Sequence, residues 1–341
     1  MRIALATVAV PFQRGGADLL AEGLRAAIAE AGHPVDMVTL PFRFFPEAEV
    51  RRALDVWESE DLTSLNMVEP DLVLCLAFPS YYLRHPRKRT WLMHQFRSVY
   101  DLAGIAGGGF TPALRDEVRR RDIRHLEACE RRFTIARNVS RRLHDYCGVA
   151  SEVIYHPPAN AEHFYHAEAK PFIFAPSRIE TLKRQELLLE AMPHVRAPVV
   201  ALFAGTGGQS GRLGERVAEL GLTDRVRLLG QVSPAELRSY YAHSLGVYFG
   251  PRDEDYGYVT LEAMLSSKPV ITCTDSGGPL EFVEDGVTGR VVAPEPAAVA
   301  AAIDELYADR RRAEALGCAG REKYDALDLS WSRVVLQLLA P

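Results

Sequence analysis

The densest group of ionisable residues is "FGPRDEDYGYVTLEAM", Phe249 to Met264, where Asp253, Glu254 and Asp255 are followed by Glu262. Two chemistries fit. Asp253 and Asp255 could form an Asp-x-Asp clamp on a divalent cation and its nucleotide-sugar. Alternatively, Glu254 and Glu262, with seven residues between them, could touch different parts of one long ligand, leaving the two aspartates as solvated neighbours. A second group is "APSRIETLKRQELLLEAM", Ala175 to Met192, where Arg178 and Lys183 flank a loop that enters a helix. Arginine can fork two phosphate oxygens and lysine can act as a point charge, so the pair could hold a diphosphate. Taken alone, the two cations fit a solvated helix start slightly better. His94, in "WLMHQFRSVYDL", stands beside Arg97 and Tyr100, with a functional role and a structural one evenly balanced. Gly15-Gly16, in "PFQRGGADLL", offers bare backbone at a helix start, where a phosphate can approach closely; a tight strand-to-helix turn needs the same residues.

These residues sit on a regular framework. Short apolar runs alternate with amphipathic stretches from end to end. The first round is "RIALATVAV", "VDMVTL", "DLVLCLAF", "TWLMHQ", "FTIA" and "EVIYH"; the second is "FIFAPS", "VVALFAG", "RVRLLG", "LGVYFG", "KPVITC" and "GRVVA". Each run is strand-length, and most are β-branched or aromatic, as in parallel strands covered on both faces. Between them lie helical patterns such as 17–33 and 233–244. The latter has Ser233 to cap it, Pro234 at its first position and Glu236 three residues after the cap. The alternation predicts a doubly wound α/β fold, run through twice. The break falls near "AEHFYHAEAKPF", Ala161 to Phe172. Arg178, Lys183, His94 and Glu254 then all follow the carboxyl ends of strands, where open α/β sheets bind ligands. Glu262 falls in the first turns of the next helix.

Bulk properties narrow the class. The chain has 341 residues, 48% hydrophobic and 25% charged, which suits two soluble globular domains. Its net charge is -5, all from the second half, because residues 1–165 balance 21 basic against 21 acidic residues. No nucleic-acid partner is expected from that balance. The five cysteines are scattered with no C-x-x-C pair, which predicts a reducing, cytoplasmic setting without disulfide or zinc framework. The opening strand-like run is too short for a signal segment, and no stretch reaches membrane-span length. Asn138-Val139-Ser140 is therefore read as a chance sequon. One stretch, 114–132, has seven arginines against five acids. It could touch anionic lipid as a peripheral contact on the inner face of the cell membrane, or simply be a solvated, ion-paired helix. The glycine run at 205–211, "GTGGQSG", misses the dinucleotide fingerprint by one position, so a dehydrogenase is not expected.

Taken together, the motifs resemble the retaining GT-B glycosyltransferases of glycosyltransferase family 4. The family phrase "EGFGLVxLEAMxxGxPVV" is similar to "EDYGYVTLEAMLSSKPVI" at 254–271. Ser177-Arg178 with Lys183, Gly15-Gly16, and "RVRLLGQVSPAELRSYYAHS" before the glutamate phrase match in order. The likeness covers nearly the whole chain and is strongest over 172–292. It departs at Lys268, where the family usually has glycine, and at Pro279-Leu280 after the Gly277-Gly278 pair; these put donor choice in doubt more than activity.

The resemblance implies a GT-B architecture of two Rossmann-like domains facing a central cleft. Residues 1–165 would be the acceptor side, joined by a returning C-terminal helix at about 322–341, and 166–321 the donor side. It implies transfer of a hexose from a GDP-mannose or UDP-hexose type donor to a glycan, lipid-linked or small-molecule acceptor, with retention and without a metal cofactor. Glu254 would bind donor sugar hydroxyls, helped by the backbone of Tyr256, Gly257, Tyr258 and Val259. Glu262 would accept from the ribose. Arg178 and Lys183 would neutralise the departing diphosphate, Gly16 would approach it beside Gly15, and His94 would sit by the sugar. The base would lie near Gly230, Gln231 and Val232. An epimerase, a phosphorylase and a silent nucleotide-sugar-binding regulatory subunit are the alternatives.

Overall fold

The structure is a computed structural model that describes residues 1–12, 15–103 and 109–341. In chain order the first round comprises β1 (Ile3–Ala9), α1 (Gly16–Glu30), β2 (Val35–Pro41), α2 (Glu47–Ser59), β3 (Leu72–Cys75), β4 (Lys88–Leu92), α3 (Pro112–Glu127), β5 (Arg131–Thr134), α4 (Arg137–Cys147) and β6 (Glu152–Val153). The second comprises β7 (Phe172–Pro176), α5 (Gln185–Ala191), β8 (Val200–Ala204), α6 (Ser210–Glu219), β9 (Val226–Gly230), α7 (Pro234–His243), β10 (Gly246–Tyr248), α8 (Tyr258–Leu265), β11 (Val270–Cys273), β12 (Gly289–Val292), α9 (Pro296–Ala308) and α10 (Arg310–Ala326). A final helix, α11 (Trp331–Leu339), rejoins the first unit.

Each round closes into its own sheet of six parallel strands. The first is ordered β2-β1-β3-β4-β5-β6 and the second β12-β11-β10-β7-β8-β9. Central strands are buried along their whole length, as β3 and β11 show; this is why they appear in the sequence as unbroken apolar runs. Each sheet has its own apolar core. The capping expected for α7 is present: Glu236 N–H donates to Ser233 Oγ at 3.3 Å, and Ser233 N–H donates to Glu236 Oε2 at 2.8 Å.

The chain divides into Met1–Ala159 with Ser330–Pro341, and Asn160–Leu329. These limits differ by a few residues from the sequence-based 1–165, 166–321 and 322–341, because aromatic contacts decide them. Phe164 packs edge-on against Tyr241 at 5.7 Å, and Tyr165 against His243 at 6.5 Å, so 160–165 belongs with the second unit. The returning segment starts at Ser330, and the ring of its Trp331 stands 6.4 Å from Trp91 and 5.9 Å from His156. A Cβ at Gly23 would come within 2.4 Å of that ring, so α1 needs a glycine there.

In α3, Arg121 pairs with Asp55, Glu58 and Glu117, and Arg124 pairs with Glu58. Ion pairs to α2 thus take up part of the basic face of 114–132. Among the described residues no helix is long and apolar enough to cross a membrane.

Candidate functional site

The second sheet has the strand order in which two βαβαβ halves diverge from the central pair β7 and β10. At such a switch point the loops leaving the two strands part and open a crevice. The β7 exit holds Ser177 and Arg178 and then a short 3-10 turn, Thr181–Lys183. The β10 exit holds Phe249 to Gly257. The structure brings Lys183 and Glu254 together across this point as a direct ion pair, each side chain mostly buried. The Lys183 ammonium also lies 5.7 Å from the centre of the Phe249 ring. Glu254, the middle of the three consecutive acids, is thus tied to a site cation.

The Glu254 loop is held by its main chain. Asp253 N–H donates to Asp275 O at 2.9 Å, Glu254 N–H to Ser276 O at 2.8 Å, and Gly278 N–H to Glu254 O at 2.8 Å. Arg252 N–H donates to Leu182 O at 2.8 Å, joining this loop to the Lys183 turn. Gly257 ends the loop with φ +88°, and a Cβ there would meet Phe249 and Pro279 at 3.0 and 3.1 Å. Glycine thus lets α8 start abruptly at Tyr258, with its first-turn amides pointing out of the helix.

Arg178 is solvent-exposed. Its backbone is fixed: Gln185 Nε2 donates to Arg178 O at 2.8 Å, and Ser177 N–H donates to Ala204 O at 3.0 Å. Among the described residues its guanidinium has no carboxylate partner. Gly205 supports this loop from β8; its φ is +122°, and a Cβ would lie 2.1 Å from Ser177 O. The glycine run that misses the dinucleotide pattern therefore serves close loop packing.

Glu262, on α8, accepts from Tyr241 Oη at 2.6 Å. Burial pushes its carboxyl pKa up, and the tyrosine hydrogen bond draws it partly back. Tyr241 itself is fully buried on α7. Tyr256 and Gly257 are buried, while Tyr258 and Val259 are half-buried. Gly230 ends β9 with φ +65°, followed by exposed Gln231 and half-buried Val232. Lys268, read from the sequence as standing at the family glycine, is buried and donates to Ala167 O at 2.7 Å; position by position the glycine aligns with Ser267, whose φ is +52°. Lys268 fastens the segment entering the second unit rather than the site.

In the first unit, Gly15 and Gly16 follow β1 and His94 follows β4, along the carboxyl edge of one sheet. The Gly15 N–H donates to the Asp18 carboxylate at 2.8 Å, so a carboxylate already stands at the α1 N-terminus. His94 Nδ1 lies 2.7 Å from Gln95 O. A carbonyl can only accept, so Nδ1 carries the proton and Nε2 is left as an acceptor in the neutral ring. The following segment is tied to a buried carboxylate. Asp122 accepts from Tyr81 and Tyr100 at 2.6 Å and from Tyr82 at 2.8 Å, and Gln95 Nε2 donates to Cys147 Sγ at 3.2 Å. Burial pushes Asp122 up to about 6.

Three supports were not foreseen from the sequence: Arg184 with Asp275, Tyr241 beneath Glu262, and Asp122 behind the His94 segment. Tyr241 lies in a stretch already matched as strand and helix, but nothing local pairs it with a residue 21 positions on. Arg184 stands next to Lys183. There the backbone has φ +50°, a left-handed geometry costing a side-chain-bearing residue roughly 1–2 kcal/mol.

With two parallel six-stranded α/β units, the fold is GT-B. Solved structures agree over the whole chain. Sucrose-phosphate synthase from Thermosynechococcus elongatus has a TM-score of 0.80 at 21% identity, covering 98% of this chain and 97% of that one. Anabaena HepE with UDP and glucose has a TM-score of 0.72 at 17% identity and covers both chains fully. Residues 159–323, just under half of this GT-B chain, match the family described as Glycosyl transferases group 1. The GDP-mannose-dependent alpha-(1-6)-phosphatidylinositol monomannoside mannosyltransferase of Mycobacterium tuberculosis is 34% identical over 181 residues, 49% of this chain and 46% of the relative. The D-inositol 3-phosphate glycosyltransferase of Geodermatophilus obscurus is 34% identical over 176 residues, 48% of this chain and 38% of the relative. The chain thus aligns with less than half the length of these curated relatives.

Proposed function

We propose that the protein transfers a hexose from a nucleotide-diphosphate sugar, of GDP-mannose or UDP-hexose type, to a glycan, lipid-linked or small-molecule acceptor, with retention of anomeric configuration. The observation that supports this most is the Lys183–Glu254 pair across the β7/β10 switch point. A cation and a carboxylate joined there suit a ligand that has a diphosphate at one end and hydroxyls at the other. Donor binding would exchange partners: Lys183 turns to the diphosphate while Glu254 accepts from sugar hydroxyls. The exposed Arg178 fork adds a second cation, and the first turn of α8 adds amides of Tyr258 and Val259 beyond Tyr256 and Gly257.

Breaking the sugar–phosphate bond places growing negative charge on the departing diphosphate. Cations already in place stabilise it without reorganising at the moment of reaction. Glu262, steadied by Tyr241, would accept from the ribose, with the base near Gly230, Gln231 and Val232. On the first unit we assign Gly15 and Gly16 to phosphate approach and His94, through Nε2, to a sugar hydroxyl. The GDP-mannose-dependent relative favours testing a GDP-mannose donor first. No metal enters the scheme, and transfer is expected to continue in EDTA.

The test is transfer from a panel of nucleotide sugars, with product configuration read by NMR. Arg178→Ala and Lys183→Ala are each expected to lower the rate by ~10²–10³-fold. Near-normal transfer by both variants would contradict the assignment.

A further inference from the structure

Arg184 follows the site lysine, yet no feature of the reaction above requires it. Its position is left-handed, where glycine would sit without strain. An arginine stands there instead, and its whole guanidinium is engaged. Nε donates to Gly250 O at 2.8 Å and Nη2 to Pro251 O at 2.8 Å. Nη1 and Nη2 also fork onto the Asp275 carboxylate at 2.8 and 2.6 Å. One side chain therefore joins the exits of three strands. The β7 exit carries Lys183, the β10 exit leads to Glu254, and the β11 exit carries Asp275. The Asp275 carbonyl in turn accepts from Asp253 N–H at 2.9 Å, next to Glu254.

We infer that Arg184 and Asp275 form a positioning clamp that sets Lys183 and Glu254 at the spacing the donor requires, and so act on turnover more than on folding. This rests on the proposed donor site at the same switch point. Holding the two side chains from their own backbones leaves their polar ends free to exchange partners while their origins stay fixed. Displacement of a reacting constellation by about 1 Å costs on the order of 10²-fold in rate.

The test compares Arg184→Gly, Arg184→Lys and Asp275→Ala with Lys183→Ala in the full chain, by transfer kinetics with the preferred nucleotide sugar and by thermal melting. Arg184→Gly removes the clamp while relieving the backbone. The expected result is a melting temperature close to wild type with kcat lowered by ~10–10²-fold. Arg184→Lys should recover only part of the rate, since an ammonium cannot fork Asp275 and reach both carbonyls. Millimolar free guanidinium should raise the rate of Arg184→Gly and leave wild type unchanged. Combining Arg184→Gly with Asp275→Ala should cost little more than either alone, because both break one unit. If Arg184→Gly keeps wild-type kcat while Lys183→Ala loses it, the clamp is overturned and the donor site stands. If Lys183→Ala also keeps its rate, the donor-site reading falls first. A rate loss that follows the loss of folded protein, without guanidinium rescue, would reduce Arg184 to a structural residue.

Discussion

At the scale of single residues, Lys183, Glu254 and Glu262 are each held by a partner of matching charge or hydrogen-bonding capacity. Glu262 shows how this tunes chemistry. Its carboxyl is shifted upward by burial and pulled back by Tyr241. Tyr241→Phe removes the favourable contribution and keeps the ring, so the Glu262 pKa rises further. If the ionised form accepts from the donor ribose, affinity fades as pH falls through that pKa. The variant should therefore lose donor affinity at higher pH than wild type. Calorimetric titration of the donor across pH checks this; superimposable profiles would remove Tyr241 from the account. Residue types and spacing made Arg178, Lys183, Glu254 and Glu262 legible, because they stand out on short loops and a helix start. Tyr241, Arg184 and Asp275 were not, because their meaning lies in partners 21 to 91 positions away.

At the scale of elements, strands and helices were largely legible for a physical reason. A parallel strand covered on both faces is a short unbroken apolar run, and each quoted run overlaps a strand. The strand orders were not legible, since pairing between β7 and β10 depends on contacts more than 70 residues apart. The buried Asp122 cluster is another such arrangement, with α3 supplying the carboxylate and three tyrosines reaching it. Asp122 is raised from 3.8 to about 6 by burial. The folded protein thus binds a proton there more tightly than the unfolded chain. Its contribution to stability is present below pH 4 and is lost as pH rises towards 6. Asp122→Asn abolishes the titration, so wild type minus variant stability should decline over that window. All three tryptophans, Trp57, Trp91 and Trp331, lie in the first unit. Denaturation followed by their fluorescence therefore reports on the unit that holds Asp122. A pH-independent difference would show that Asp122 titrates normally.

At the scale of the whole molecule, two sheets of the same size use different strand orders: the second parts both ways from β7 and β10 at its centre, the first from β1 and β3 nearer one edge. The family match falls on 159–323, the round whose sheet parts at its centre. The sequence patterns alone indicated two rounds of one fold; the assignment of the donor site to the second round came from the motif residues. The central claim is that Lys183 marks the diphosphate end and Glu254 the sugar end of one donor site. It is tested most directly by calorimetric titration of GDP and UDP into wild type, Lys183→Ala and Glu254→Gln. Lys183→Ala should weaken the preferred diphosphate by roughly 10-fold or more, the loss of one charge-assisted contact. Glu254→Gln, which frees the lysine from its competing carboxylate, should bind the bare diphosphate at least as tightly as wild type. Equal affinity of wild type and Lys183→Ala for both diphosphates would contradict the claim.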